Sequence, residues 1–262
     1  MRIAVLGADM AEANQLCKLL SAVGYTSVAI SQSGEFLRRL AKETFDLVLV
    51  AWKLPDISAI DLLSRIRQGP LSAVPVMVMS SNEEATQVAA MLGAGADDYV
   101  VRPVSLVVLL ARVDALLRRA YRVNSLAEGT RAPSTTFEEL EFEFDIDARK
   151  VVREGEAIAL TQKEFYLALL LFRHLNRPVS RAHILEVVWH VTGDGMAMRT
   201  ADTHVSALRS KLGLRPERGY RLVPLYGYGY MLERLPLPKD LRADARAEDT
   251  PAELPVSVDK PD

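Results

Sequence analysis

Phe45-Asp46-Leu47-Val48-Leu49-Val50-Ala51 is a short segment whose middle, Leu47 to Val50, is apolar without a break. A strand with one wet face alternates in polarity, whereas a strand covered on both faces does not. This run therefore reads as the centre of a parallel sheet. Outward from it the same grammar repeats. Ile3–Leu6, Ser27–Ile30, Val76–Met79 and Tyr99–Val101 are similar short apolar runs, and helical periods fill residues 11–23, 34–43, 58–68, 83–93 and 105–119. Five strand–helix units in this order specify a doubly wound α/β fold with a five-stranded parallel sheet over residues 1–120. Ligand chemistry in such folds gathers at the carboxyl ends of the strands. Here those ends carry Gly7-Ala8-Asp9, Ala51-Trp52, Ser80-Ser81 and Arg102-Pro103.

The pattern then changes. Residues 121–136 carry Asn124, Ser125, Gly129, Pro133, Ser134 and Thr135 with no helical period, and read as a linker. From Phe137 the chain speaks a different grammar. Leu140-Glu141-Phe142-Glu143-Phe144-Asp145 has period two, the mark of a half-buried antiparallel strand. Lys150–Arg153 and Ala157–Leu160 flank a Glu154-Gly155 turn. Thr161 with Glu164 three residues on makes a capping box for a helix carrying Phe165, Leu169 and Phe172. A second helix is expected from Arg181 to Trp189 behind Ser180, and a third from about Arg199. The hairpin Gly227-Tyr228-Gly229-Tyr230 closes an α+β unit over residues 137–234. Residues 235–262 hold Pro236, Pro238, Pro251, Pro255 and Pro261 among many acids and are expected to be disordered.

Composition narrows the function. A length of 262 residues suits two ordinary domains, and a 49% hydrophobic share supports real cores. The formal net charge of -2 gives no global pull toward nucleic acid, so any basic footprint must be local. From Leu160 to Arg234 basic residues do outnumber acids. The only cysteine, Cys17, excludes an intrachain disulfide and fits a reducing cytosol. The segment Met1–Leu6 is too short for a signal peptide. No window approaches the roughly 18 apolar residues of a membrane helix. His174, His183, His190 and His204 share no metal-ligand spacing with one another or with Cys17. No Ser-His-Asp grammar is present, and Gly7 lacks the further glycines of a dinucleotide fingerprint. Neither an enzyme nor a cofactor nor a metal is expected.

The first half resembles a response-regulator receiver of the CheY/flavodoxin-like kind. The resemblance rests on Phe45–Val50, Leu54-Pro55-Asp56, Val74-Pro75-Val76, Gly95-Ala96-Asp97-Asp98-Tyr99 and Arg102-Pro103. The second half resembles an OmpR/PhoB-type winged helix-turn-helix domain, through Leu160–Phe165, Val179-Ser180-Arg181, Val188-Trp189, Arg199–Val205, Leu208–Leu212 and Gly227–Tyr230. The likeness implies a cytoplasmic transcription regulator that binds double-stranded promoter DNA. It also exposes departures. Such receivers hold magnesium with two acids after the first strand, where this chain has Gly7 and Ala8. They accept phosphate on an aspartate ending the third strand, where this chain has Ala51. The hydroxyl after the fourth strand is kept as Ser80, and the lysine before proline is Arg102. Phosphoryl transfer needs a carboxylate nucleophile and a divalent cation in an oxygen cage, so a regulator independent of aspartyl phosphorylation is expected. Asp9 reads as a helix cap and Asp56 as a surface acid. Two alternatives stay open: a phospho-switched regulator with an unorthodox acceptor, and a protein-interaction adaptor that has lost DNA binding.

The helix from Arg199 to Leu212 is the recognition candidate. Ala201, Val205, Leu208 and Leu212 form one apolar stripe that must pack on the domain. Arg199, Thr203, Ser206, Ala207 and Ser210 are then expected to face base edges, flanked by Arg209 on one side and by Thr200, His204 and Lys211 on the other. Related domains often carry arginine at the Ser206 and Ala207 positions. At the hairpin, Tyr226 and Pro224 replace an arginine and a hydroxyl residue; Tyr230 is expected in the core and Tyr228 at DNA. The loop Val191–Ala197 lies where relatives touch RNA polymerase, or is a plain connector. Related receivers pair through the fourth helix, fifth strand and fifth helix. Asp98–Arg112 and Asp97–Arg119 are the candidate bridges between two chains, while Val88 and Val108 replace a charged pair. A homodimer that needs no phosphoryl signal is expected.

Overall fold

The computed structural model describes residues 1–69, 71–81, 83–121, 134–136, 141–191 and 196–236. In it the apolar runs become β1 (Arg2–Leu6), β2 (Thr26–Ile30), β3 (Leu47–Ala51), β4 (Val76–Ser80) and β5 (Asp98–Val101). They form one parallel sheet in the order β2-β1-β3-β4-β5. The helices between them are α1 (Met10–Ala22), α2 (Ser33–Leu40), α3 (Ala59–Gln68), α4 (Ala85–Gly93) and α5 (Leu106–Tyr121). The unbroken hydrophobicity of β3 has its reason in the layers. Val48 and Val50 pack with Phe36, Leu62 and Ile66 on one face. Leu47 and Leu49 pack with Leu20, Val113 and Leu116 on the other. Every residue from Leu47 to Val50 is fully buried, so no position is left for a polar side chain.

The second unit begins with an antiparallel sheet of β6 (Ser134–Thr136), β7 (Phe142–Asp145), β8 (Lys150–Arg153) and β9 (Glu156–Ile158). In β7 the aromatic rings of Phe142 and Phe144 are buried while Glu143 and Asp145 are exposed, as period two requires. β6 departs from the sequence reading, which placed Ser134 and Thr135 in the linker. It is an outer strand of its sheet, pairing only with β7, and outer strands are held by backbone bonds without an apolar alternation. Residues 122–133 and the tail from 237 onward, expected as linker and disordered segment, lie outside the described residues.

α6 (Gln162–Arg173) opens on the expected capping box: the Glu164 amide donates to Thr161 Oγ1 and the Thr161 amide to Glu164 Oε2. β10 (Pro178–Ser180) leads into α7 (Arg181–Ile184), which widens into a π-helical turn, Leu185–Trp189, and stops at His190 in the left-handed region, φ 57°. α8 (Met196–Lys211) follows, then a 3₁₀ turn (Pro216–Arg218) and the hairpin of β11 (Tyr220–Leu225) and β12 (Gly229–Arg234). β12 is the middle strand of the sheet β10-β12-β11. A Cβ at Gly229 would stand 2.0 Å from the Val179 carbonyl, so only glycine lets β12 close on β10 there. Among the described residues no helix is long and apolar enough to cross a membrane.

Candidate nucleic-acid interface

α8 is placed by its apolar stripe. Ala201, Val205, Leu208 and Leu212 are buried in the second core, against Phe165, Leu169 and Phe172 of α6. The opposite side is wet: Thr200, Thr203, Ser206, Ser210 and Lys211 are exposed, and Ala207 is half-buried. Arg199 lies in the first turns of α8, with its side chain outside the described residues. Residues 192–195 of the loop expected to meet RNA polymerase also lie outside them. His204 is half-buried with its ring against Trp189, centroids 5.3 Å apart.

Two flanking cations have partners within the domain. Arg209 donates from Nε and Nη2 to the Leu222 carbonyl, at 3.0 and 2.8 Å. Lys211 Nζ reaches both Glu164 oxygens, at 2.9 and 2.7 Å. Burial pushes the Glu164 carboxyl up, but Lys211 and the Thr161 amide outweigh it and hold the acid below its usual range. The hairpin tip differs from the sequence reading. Tyr228, expected at DNA, turns its hydroxyl to the first domain, 3.2 Å from the Glu43 carbonyl and 3.3 Å from Thr44 Oγ1. Burial pushes that phenol up to about 12. Tyr226 is the ring fully exposed at the tip. The alternation of three tyrosines pointed to the hairpin but carries no sign of a neighbour from another domain. Tyr230 is buried, as expected.

At the carboxyl ends of the parallel strands, a Cβ on Gly7 would lie 3.7 Å from Ala51 Cβ, so these two positions face each other. Neither offers a side-chain oxygen, and Ala8 adds none. Asp9 caps α1, accepting from the Ala11 and Glu12 amides at 2.8 and 3.2 Å. Asp56 accepts from the Ser33 and Gly34 amides at the start of α2. Arg102 precedes a cis peptide to Pro103, and its guanidinium pairs with Glu12.

On the α4–β5–α5 face one candidate bridge, Asp98–Arg112, closes within one chain, and the members of the other, Asp97 and Arg119, have different partners. Arg112 Nη1 sits 3.0 and 3.1 Å from the two oxygens of Asp98. Asp97 is held by Arg67 Nη2 and the Val76 amide, each at 2.7 Å, and Arg119 donates to the Ala115 carbonyl. Both acids expected to reach a second chain are therefore engaged at home, because α3 and α5 of the same chain each bring a guanidinium to them. Val88 is partly buried against the core, while Leu92, Leu106, Val107 and Val108 are exposed.

The sequence reading missed a seam between the domains. Thr44 and Ser180 interlock: the Thr44 amide donates to Ser180 Oγ at 3.1 Å and the Ser180 amide to Thr44 Oγ1 at 2.8 Å. Arg2 pairs with Glu43 at 2.6 Å and with Glu186 at 3.2 Å. Beneath them Asp46 Oδ1 lies 2.8 Å from His174 Nε2, and Asp46 Oδ2 accepts from the Arg2 amide. Tyr121 donates to the Asp46 carbonyl, rests edge-on against His174, and lies under the Arg177 guanidinium. Burial alone would raise the Asp46 carboxyl; the hydrogen bond and charge of His174 bring it down to about 2. His183, packed on His174, is lowered to about 4 by burial. Asp46 and His174 stand 128 positions apart, which is why no local spacing announced them.

Comparison with known proteins agrees with this architecture. Residues 8–114 match the family model described as response regulator receiver domain, and residues 155–232 that described as transcriptional regulatory protein, C terminal. The probable transcriptional regulator ycf27 of Guillardia theta is 32% identical over 217 residues, 82% of this chain and 84% of that protein. The transcriptional regulatory protein ResD of Bacillus subtilis is 31% identical over 228 residues, 86% of this chain and 93% of that one. The DNA-binding response regulator MtrA of Mycolicibacterium smegmatis is 31% identical over 229 residues, 87% and 95% of the two chains. With a receiver fold, a winged helix and relatives matched across both, the chain belongs to the OmpR/PhoB-type response regulators, the DNA-binding transcription regulators of two-component systems.

Proposed function

We propose that this regulator binds its promoter sites without aspartyl phosphorylation. The observation that carries the reading is the facing pair Gly7 and Ala51, where a Cβ added to Gly7 would lie 3.7 Å from Ala51 Cβ and where an acid and the phosphate acceptor would stand. A phosphoryl group there would meet no nucleophilic carboxylate, and a magnesium ion no side-chain oxygen from Gly7, Ala8 or Ala51. Asp9 and Asp56, the acids in the loops that follow β1 and β3, are engaged by the first amides of α1 and α2. Arg102 is neutralised by Glu12 instead of waiting for an anion.

DNA is read by the exposed side of α8. Thr203, Ser206, Ala207 and Ser210 are small, so they suit close approach to thymine methyls and leave bidentate guanine contact to Arg199. Thr200, His204 and Lys211 flank them. Dimerisation through α4, β5 and α5 is supported by the exposed apolar residues Leu92, Leu106, Val107 and Val108.

Incubation of the full chain with acetyl phosphate and magnesium, followed by intact-mass measurement, tests the reading. The expected spectrum is that of the unmodified chain, with DNA affinity unchanged. A stoichiometric, hydroxylamine-labile phosphate adduct would overturn it.

A further inference from the structure

Asp46, His174 and His183 each offer one ligand-type atom, and those atoms all lie within 4.8 Å of one another. Asp46 comes from the start of β3, His174 from the end of α6 and His183 from α7, so the group is assembled only where the two domains meet. The three residues are 0%, 3% and 6% exposed.

Proton bookkeeping makes the group unusual. His174 Nδ1 lies 2.9 Å from the Leu170 carbonyl. A carbonyl only accepts, so Nδ1 carries the hydrogen, and in a neutral ring Nε2 presents a lone pair. Yet Nε2 faces Asp46 Oδ1, another acceptor, at 2.8 Å. A positive centre must sit between them, and it is either a proton or a metal ion. A proton serves that pair and leaves His183 out. Among the described residues His183 Nδ1 is buried with no hydrogen-bond partner, the Glu186 oxygen being 4.0 Å away. A buried unmatched polar atom costs about 1–3 kcal/mol. A metal ion recruits all three side chains at once.

The surroundings fit this. Metal-bound histidines characteristically give their other N–H to a carbonyl or carboxylate, as His174 gives Nδ1–H to Leu170. The second Asp46 oxygen is oriented by the Arg2 amide. The Arg2 guanidinium nearby is paired with Glu43 and Glu186, which offset part of its charge. Two imidazoles and one carboxylate at bond lengths of about 2.0–2.2 Å form a zinc-type donor set with a fourth position for water. Ligand atoms around such an ion stand roughly 3.3 Å apart, so the Asp46–His174 pair opens slightly and His183 moves in, by side-chain rotation.

We propose that Asp46, His174 and His183 form a binding site for a divalent transition metal of the zinc class, and that its occupancy fastens the receiver to the winged helix. The site stands apart from the phosphorylation reading above: neither its ligands nor its test involve Gly7, Ala8 or Ala51.

The chelator-stripped full chain is titrated with Zn²⁺ by calorimetry, with Co²⁺ as the spectroscopic probe and small-angle scattering as the readout of domain fastening. The expected result is one ion per chain, an intense visible Co²⁺ spectrum of four-coordinate nitrogen and oxygen ligation, and a smaller radius of gyration with Zn²⁺. His183→Gln, which keeps a polar side chain, is expected to weaken binding on the order of a hundredfold and to abolish the Co²⁺ bands, whereas His190→Gln leaves both unchanged. Asp46→Asn, which can still accept from the Arg2 amide, is the second variant, and circular dichroism checks that each folds. Absence of Zn²⁺ binding, affinity in His183→Gln and Asp46→Asn equal to that of the parent chain, or only the faint spectrum of six-coordinate Co²⁺ would overturn the site. An unchanged radius of gyration on saturation would overturn the fastening.

Discussion

Arg209 and Lys211 sit on the flanks of α8, where long cations suit DNA phosphates. Each already has a partner: the Leu222 carbonyl for Arg209 and Glu164 for Lys211. An arginine that supports β11 through its backbone contributes to the wing before it contributes to DNA. Arg209→Ala is therefore expected to lower the thermal midpoint of the winged helix while leaving the salt dependence of DNA binding unchanged. A slope flatter by about one unit would instead show that Arg209 releases Leu222 and neutralises a phosphate. Arg199→Ala is expected to act differently, costing about 1–3 kcal/mol at the preferred site and much less on random DNA. Fluorescence anisotropy against a selected and a scrambled duplex separates the two. The sequence made the exposed side of α8 legible, because a buried stripe of four apolar residues fixes the opposite face. It could not reveal what engages each cation, since Leu222 and Glu164 meet α8 only through tertiary packing. The same limit applies to Tyr228, whose partner Thr44 lies in the other domain.

Elements were the most readable scale. Leu47–Val50 announced a strand covered twice, and Phe142 to Asp145 a strand covered once. The capping box at Thr161 fixed the start of α6, and it also gives that helix a pH dependence. Glu164 is more acidic in the folded chain than its usual value of 4.5, so its contribution is complete above that value and fades as pH falls below it. Glu164→Gln is expected to lower the melting temperature of the winged helix near neutral pH, with the gap to the parent chain closing below about pH 4. Calorimetric melts of both chains across that range check it, and a gap that stays constant down to acid would contradict it. β6 and the π-turn at Leu185–Trp189 were not legible. An outer strand such as Ser134–Thr136 is held by backbone bonds that leave no mark on side-chain pattern. A π-turn changes the hydrogen-bond register without changing which residues are apolar.

At the scale of the whole molecule, the proposed pairing of two chains would rest on apolar area and not on charge. Asp98 and Arg112 already satisfy each other, and exposed ion pairs contribute only ~0–1 kcal/mol. Covering a valine contributes roughly 1.5–3 kcal/mol, and Val107 and Val108 stand open on α5. The full chain is expected to sediment as a dimer at tens of micromolar without any phosphoryl donor, and Val108→Glu as a monomer. A parent chain that sediments as a monomer would contradict the dimer. Within one chain, the seam holds the hairpin tip against the receiver through Tyr228, Thr44 and the Glu43 carbonyl. Those receiver atoms occupy the tip as a tethered competitor: whatever else takes hold of the Tyr228 hydroxyl must first displace them. Linkage makes this reciprocal: any partner that displaced the receiver from the tip would itself be weakened by the receiver, by the same factor in equilibrium constant. A winged helix cut free of its receiver is then not a smaller version of this regulator. It lacks the Thr44 and Glu43 atoms that cover its hairpin tip in the full chain.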